Sequence, residues 1–275
     1  MVTTMRSCAH RGLSYLTFPI LDVYSSHLIH AVSLRVGGVS ASPYYSLNLG
    51  LHVGDEPGCV VRNRRLLCES IGIGFDSLTV GEQVHGSRVS VVRAVDKGRG
   101  SRSLTDALVE TDALITATPG IALMVLVADC PAILVYEPRN RVVGVVHAGW
   151  KGTLNRVVVA AIERMSRECD VSPSTMVAAI GPAIGPCCYS ISEERAAEFL
   201  STFGSHDNEY IRHDRRGQAY LDLWELNRLQ LVESGIPPSA VYVSRLCTAC
   251  NANLFFSHRG EHGTTGRFGV VVCLR

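Results

Sequence analysis

The longest uninterrupted apolar run, residues 121–127, falls far short of the roughly 20 residues that a membrane-spanning helix needs, and Ala128-Asp129-Cys130-Pro131 closes it at once. A short Val/Leu-rich run bounded by a turn reads as a strand buried on both faces. Its neighbours have the same character. Strands are expected over 78–84, 89–95, Ala113–Thr116, 132–136 and 141–147, with others in LIHAVSLRV, ending at Ile180, near Val241 and over 268–273. Helices are expected over Pro57–Ile71, ended by Gly72, and near Glu193–Phe203 and Leu223–Glu233. A further helix over 153–168 carries Leu154, Val157, Val158, Ala161, Ile162 and Met165 on one face, with Thr153 as its N-cap. The polar stretch 96–111, DKGRGSRSLTDALVET, reads as a flexible excursion. No repeat or Pro-rich linker divides the chain. The expected fold class is therefore α/β (α+β), a single-domain sandwich with mixed β-sheets flanked by helices over 27–275, preceded by a peripheral N-terminal segment over 1–26.

Charge narrows the partners. Lys and Arg total 26 against 25 Asp and Glu, so no global field holds a nucleic-acid backbone or an anionic membrane surface. An anionic ligand has to be met locally. The first residues contain no apolar run of signal-peptide length, which points to a cytoplasmic protein. The ten cysteines are scattered without framework-like spacing and are expected as reduced thiols. Oligomeric state is not legible.

Three short segments, GEQVHGSRV, VADCPAIL and VVHAGWKGT, each set a metal-ligand type beside turn-forming residues at the end of an expected strand. His85 precedes Gly86, Cys130 precedes Pro131, and His147 precedes Ala148-Gly149, so each side chain projects where a sheet stops and a cavity can begin. Two imidazoles and a thiolate suit zinc, and three protein ligands leave a fourth position open, the catalytic arrangement. Ligands this far apart have no diagnostic interval, and two turn histidines with a buried thiol fit the same pattern. Cys247-Thr248-Ala249-Cys250 lacks a partner pair and reads as ordinary thiols, and Cys187-Cys188 reads as packing. The turn HAGWKGT lacks the P-loop pattern, but a phosphate beside Lys151 is compatible with its glycines, as is a plain tight connection.

From about His30 to the C-terminus the chain resembles the laccase-domain, YfiH-like family of zinc-dependent purine nucleoside phosphorylases. The resemblance rests on RVGGVSASPYYSLNLGLHVGDEP with the following VRNRRLL, then GEQVHG, DALIT, ADCPAILVY, VGVVHAGWKGT, AIGPAIGPCCY, and CT before LFFSHRGEHGTTGR. It implies that His85, Cys130 and His147 are the zinc ligands and catalytic residues. It also implies phosphorolysis of adenosine, inosine, guanosine and S-methyl-5′-thioadenosine, and deamination of adenosine, with purine nucleosides and phosphate as partners. His258 stands where the family usually has a tyrosine, and Val32-Ser33-Leu34 replaces a more usual aromatic-containing stretch; both bear on substrate preference, not on the metal.

Arg35, Asn48, Lys151 and Arg259 are expected to hold phosphate or ribose, or else to pin loops. Asp129 and Glu82 are the carboxylates nearest the ligands in sequence, and Asp129 is the stronger candidate for a catalytic role near the metal. Trp150 is a candidate for stacking on a purine, or for packing. Two other enzyme classes compete: a cysteine hydrolase with Cys130 as nucleophile and His147 or His85 as base, acting on cell-wall precursors, and a copper-dependent polyphenol oxidase, which needs clustered histidines that the chain offers sparingly. A non-enzymatic binding module has little use for an open three-ligand metal site.

Overall fold

A computed structural model describes residues 4–204 and 210–275; residues 1–3, the start of the N-terminal segment, lie outside the described residues. Two six-stranded sheets face each other. The first runs Arg6–His10, Leu13–Thr17, Leu28–Ser33, Phe268–Leu274, Ala122–Val127, Leu78–Val80, antiparallel except for its last, parallel pair. The second runs Val241–Val243, Val177–Ile180, Ala132–Glu137, Val142–His147, Ala113–Thr116, Val89–Val91, antiparallel in the middle and parallel at both edges. A small antiparallel sheet of Ser190–Ile191, Ala219–Leu221 and Ile211–His213 lies apart from them. The molecule is the mixed-sheet, helix-flanked single domain that the apolar runs predict.

Alternation sorts every central strand into two faces. Leu123, Val125 and Val127 point into the gap between the sheets, while Ala122, Met124 and Leu126 point outward onto Leu67, Cys68 and Ile71 of the helix Pro57–Ile71. On the second sheet Val143 and Val145 face the gap, and Val142 and Val146 pack against Val157, Val158, Ala161, Ile162 and Met165 of the helix Val157–Cys169. The layers are thus helix, sheet, sheet, helix. Each buried Val or Leu stabilises this stack by about 1.5–3 kcal/mol. His147 has the parity of Val143 and Val145, so the strand delivers it to the gap between the sheets, at the strand's very end.

Three local expectations are corrected. The helix expected over 153–168 is two helices, Trp150–Leu154 and Val157–Cys169, separated by Arg156 in the left-handed region (φ 56°). Thr153 lies inside the first helix: its hydroxyl donates to the Ala148 carbonyl, and its own carbonyl accepts from Gln230 Nε2. Side-chain partners thus stand in where the helix ladder stops. The strand expected over 78–84 leaves the ladder after Val80, because Gln83 pairs its side-chain amide with both backbone groups of Leu126 (2.7 and 2.8 Å). Finally, the stretch 96–111 is anchored rather than flexible: the fully buried Arg64 donates to the carbonyls of Leu49, Gly100 and Ser101, and Val80 pairs with Arg99 and Leu108.

Candidate metal centre and cavity

Asp112 is the buried hinge of the site. It precedes the strand Ala113–Thr116, has no exposed surface, and its Oδ1 lies 2.8 Å from His147 Nδ1. Its carboxylate also accepts the backbone N–H groups of Val84 (3.2 Å), His85 (3.0 Å) and Gly86 (2.7 Å). Burial alone raises a carboxyl pKa; here the hydrogen bond and charge of His147, with the N–H groups of Gly86 and Val84, outweigh it and hold Asp112 below the ordinary range. The same three N–H contacts hold His85 in the left-handed conformation (φ 61°), which a residue with a side chain adopts only when its surroundings over-determine it.

His85, Cys130 and His147 converge. Each offers a ligand atom, and these atoms lie within 4.8 Å of one another. Cys130 Sγ is 3.9 Å from His85 Nε2, and the two imidazole rings stand edge-on, 4.7 Å between centroids at 80°. Tetrahedral zinc, with Zn–S of about 2.3 Å and Zn–N of about 2.0–2.1 Å, needs ligand atoms roughly 3.3–3.6 Å apart, so a contraction of tenths of an ångström closes the first pair. His147 spends Nδ1 on Asp112, which leaves Nε2 for an ion and fixes the ring, the usual carboxylate–histidine support of a metal ligand. Gly149 completes the cradle: a Cβ there would sit 2.8 Å from Cys130 Sγ and 3.1 Å from His85 Cδ2, so any side chain would fill the coordination space. The donor set and its spacing fit a divalent ion of borderline softness.

The electrostatics agree with that donor set. Burial pushes the Cys130 thiol up, but the His147 charge and hydrogen bonds to both histidines bring it down to about 6. Burial pushes His147 down, but the Cys130 thiolate and Asp112 raise it to about 9. Without an ion the pair is thiolate and imidazolium; a cation takes the place of the imidazolium proton.

These groups form the floor of a cavity of about 410 Å³, within the size range of small-ligand sites, walled by His52, Gln83, Trp150, Tyr189, Arg259 and Arg267 among others. Arg259 reaches it with its guanidinium donating to Ser190 and lying 5.3 Å from the Tyr189 ring. Tyr189 is driven up to about 12, chiefly by burial, and keeps its phenol proton. His52 is lowered to about 4 by burial and by the charges of Arg267 and Arg64, so it is a neutral imidazole. Asp129 lines the wall in a left-handed conformation (φ 89°), its carboxylate accepting from Thr248 Oγ1 (2.6 Å), Ser257 Oγ (2.7 Å) and the Arg259 N–H (2.6 Å).

Other expected site residues lie outside this wall. Arg35 donates to the carbonyls of Ala252 and Tyr45, pairs with Glu261 at 2.9 Å and stacks on Phe256. The buried Asn48 ties Asp55 to the backbone N–H of Arg267. Lys151 is exposed, its Nζ 5.4 Å from the Trp150 ring, and Glu82 accepts from the Glu110 N–H. Asp112, His52, Gln83, Tyr189 and Arg267 are wall or support residues that the sequence reading did not single out. All five lie inside the quoted blocks: His52 in RVGGVSASPYYSLNLGLHVGDEP, Gln83 in GEQVHG, Asp112 in DALIT, Tyr189 in AIGPAIGPCCY and Arg267 in LFFSHRGEHGTTGR.

Residues 29–275 match the family described as multi-copper polyphenol oxidoreductase laccase. Purine nucleoside phosphorylase YlmD of Geobacillus stearothermophilus is 39% identical over 239 residues, 87% of each chain. Its crystal structure superposes with a TM-score of 0.90, covering 96% of this chain and 97% of that one. The hypothetical protein YfiH of Bacillus licheniformis also gives 0.90, at 32% identity, covering 95% of this chain and 96% of that one. Adenosine deaminase RL5, from an unknown prokaryotic organism, is 32% identical over 240 residues, 87% of this chain and 91% of its own.

Proposed function

We propose, on the premise that this chain belongs to the family described as multi-copper polyphenol oxidoreductase laccase, that it is a zinc-dependent purine nucleoside phosphorylase that also deaminates adenosine. Its substrates on this reading are adenosine, inosine, guanosine and S-methyl-5′-thioadenosine with inorganic phosphate, met in the cytoplasm. The observation that carries the proposal is the meeting of His85, Cys130 and His147 at the floor of a cavity whose wall holds two guanidinium groups.

Arg259 and Arg267 are the anion-binding groups: in a partly dehydrated cavity each gives phosphate charge-assisted hydrogen bonds. The neutral His52 beside them offers a hydrogen bond without adding a third positive charge. Trp150 and Tyr189 present ring surfaces for the purine. Phosphate placed by the arginines attacks the anomeric carbon of the ribose, and the bond to the base breaks. Zinc, when held by the three side chains, supplies Lewis acidity at the coordination position they leave open. Asp112 fixes the tautomer and direction of His147, and Asp129 is a positioning residue that sets the Arg259 backbone. Asn48 acts through Arg267 in the same way.

One observation favours a second reading. Cys130, His147 and Asp112 form a thiolate, imidazole and carboxylate series, which without metal is the arrangement of a cysteine hydrolase. Multi-copper oxidation is poorly served: among the described residues, the single ligand group that includes histidine has two of them. Purified protein incubated with a nucleoside panel, with and without phosphate, separates the three. Free base and ribose 1-phosphate should appear only with phosphate, inosine should form from adenosine, and both should cease on chelation. Activity that survives chelation but is lost on alkylating Cys130 would move the assignment to the thiol hydrolase, and phenol oxidation with copper would move it to the oxidase.

A further inference from the structure

Two cysteine pairs far apart in sequence meet beside the cavity wall. Cys187 and Cys188 sit in the turn that leads to Tyr189, while Cys247 and Cys250 bracket the turn that carries Thr248. Sequence spacing left Cys247-Thr248-Ala249-Cys250 without a partner pair and Cys187-Cys188 as packing; the fold brings the two pairs together. All four Sγ atoms lie within 4.8 Å of one another. Cys250 Sγ is 3.6 Å from Cys187 Sγ and 3.4 Å from Cys188 Sγ. A tetrahedral zinc with Zn–S of about 2.3 Å holds its sulfurs roughly 3.8 Å apart, so the four thiols already enclose a space of one-ion size.

Several features mark a built site. The two segments are registered by a backbone bridge between Ala183 and Cys247, by Thr248 N–H donating to the Ala183 carbonyl at 3.0 Å, and by Ala183 N–H donating to the Leu246 carbonyl at 3.2 Å. The Gly185 N–H points at Cys247 Sγ, 3.3 Å away, a donor placed to offset thiolate charge. Gly185 has no room for a side chain: a Cβ would sit 2.8 Å from Trp224 and 3.2 Å from Cys187 Sγ. Cys247 is buried, whereas Cys187 and Cys250 are exposed and give an ion a way in. An all-sulfur donor set excludes magnesium and calcium, and four sulfurs all within 4.8 Å of one another suit one ion better than a polynuclear cluster. None of the four lines the catalytic cavity.

We propose that Cys187, Cys188, Cys247 and Cys250 bind a second, structural zinc ion, which staples the segment ending in Tyr189 to the segment that carries Thr248 and, through Asp129, positions Arg259. Loading exchanges the four thiol protons for the ion, with no change in oxidation state. The test is metal content of the full chain, purified under reductant and desalted. About two zinc ions per chain are expected in the wild type, and about one in the Cys247→Ser/Cys250→Ser variant and in His85→Ala/His147→Ala. Should the serine variant fail to fold, cobalt substitution of His85→Ala/His147→Ala decides: intense sulfur-to-cobalt charge-transfer bands and tetrahedral d–d bands are expected from the four-thiolate site alone. Wild-type zinc of about one per chain that the serine variant retains, absence of those cobalt bands, or a disulfide between any two of the four in reduced protein overturns the site.

Discussion

The middle of the sandwich and its open end are built from the same strands by the same alternation, yet they obey different rules. In the middle, Val143 and Val145 meet Leu123 and Val125 with no polar group between them, and stability there is a matter of volume. One step further along the same face, His147 is nearly as buried, at 3% exposed, and Asp112 has no exposed surface at all. At this end stability is a matter of partners: the Asp112 carboxylate meets four donors, and Asp129 meets three. His147 with Asp112 behind it is thus the core continued in polar residues. Core packing fixes where His147 can be, and dedicated hydrogen bonds fix which way it points.

The polar end is the more sensitive of the two to a single substitution. His147→Ala should empty the floor site, taking zinc from about two ions per chain to about one, and lower kcat/KM for phosphorolysis by about 10³-fold or more, with the circular dichroism spectrum unchanged. A metal-depleted variant that still phosphorolyses inosine would end the claim. Leu123→Ala probes the other region: denaturant unfolding should show a loss of about 2–5 kcal/mol, with zinc content unaltered. If zinc leaves along with that stability, middle and end are a single cooperative unit. Asp112→Asn keeps the volume and removes the charge behind His147, and a zinc-competition titration should find affinity reduced about 10–100-fold. An unchanged affinity would reduce Asp112 to a loop clamp.

The two regions also differ in how much of them the sequence discloses. The helices Pro57–Ile71, Glu193–Phe203 and Leu223–Glu233 and the strand Ala113–Thr116 are legible because their apolar residues and the turn formers that bound them are local to each segment. The His–Cys–His triplet is legible through its neighbours, each ligand type standing next to turn formers. Asp112 is harder, since its donors lie 26 to 35 residues away and nothing near Thr111-Asp112 announces them. His52, Gln83 and Arg267 reach the cavity from three unconnected segments. Arg35 and Asn48 lie in family blocks as those three do, but their hydrogen bonds hold the frame of the site rather than its contents. The break at Arg156 escapes a reading of amphipathic spacing because Leu154 and Val157 remain in phase across it, and only Gln230 and Asn227, from another helix, disclose why the ladder stops.

In metal-free protein His147 titrates at about 9 against an ordinary 6.5, so its stabilisation is complete below 6.5 and is lost as pH rises to 9. Cys130 titrates at about 6 against an ordinary 9.0, so its stabilisation is complete above 9.0 and is lost as pH falls to 6. Between 6.5 and 9 one contribution fades at the rate the other grows, each at about 1.4 kcal/mol per pH unit. Folded and unfolded chains hold the same single proton on the pair throughout; in the folded state it rests on the imidazole, and in the unfolded state on the thiol. Urea unfolding of metal-stripped protein at pH 6.5, 7.5 and 8.5 should therefore differ between wild type and His147→Ala by a constant amount. The apolar middle is pH-independent because it has nothing to titrate, and the polar end matches it by cancellation. A difference that slopes by about 1 kcal/mol per pH unit or more would show that His147 and Cys130 do not share the proton and that the floor is not the thiolate–imidazolium pair a divalent cation replaces.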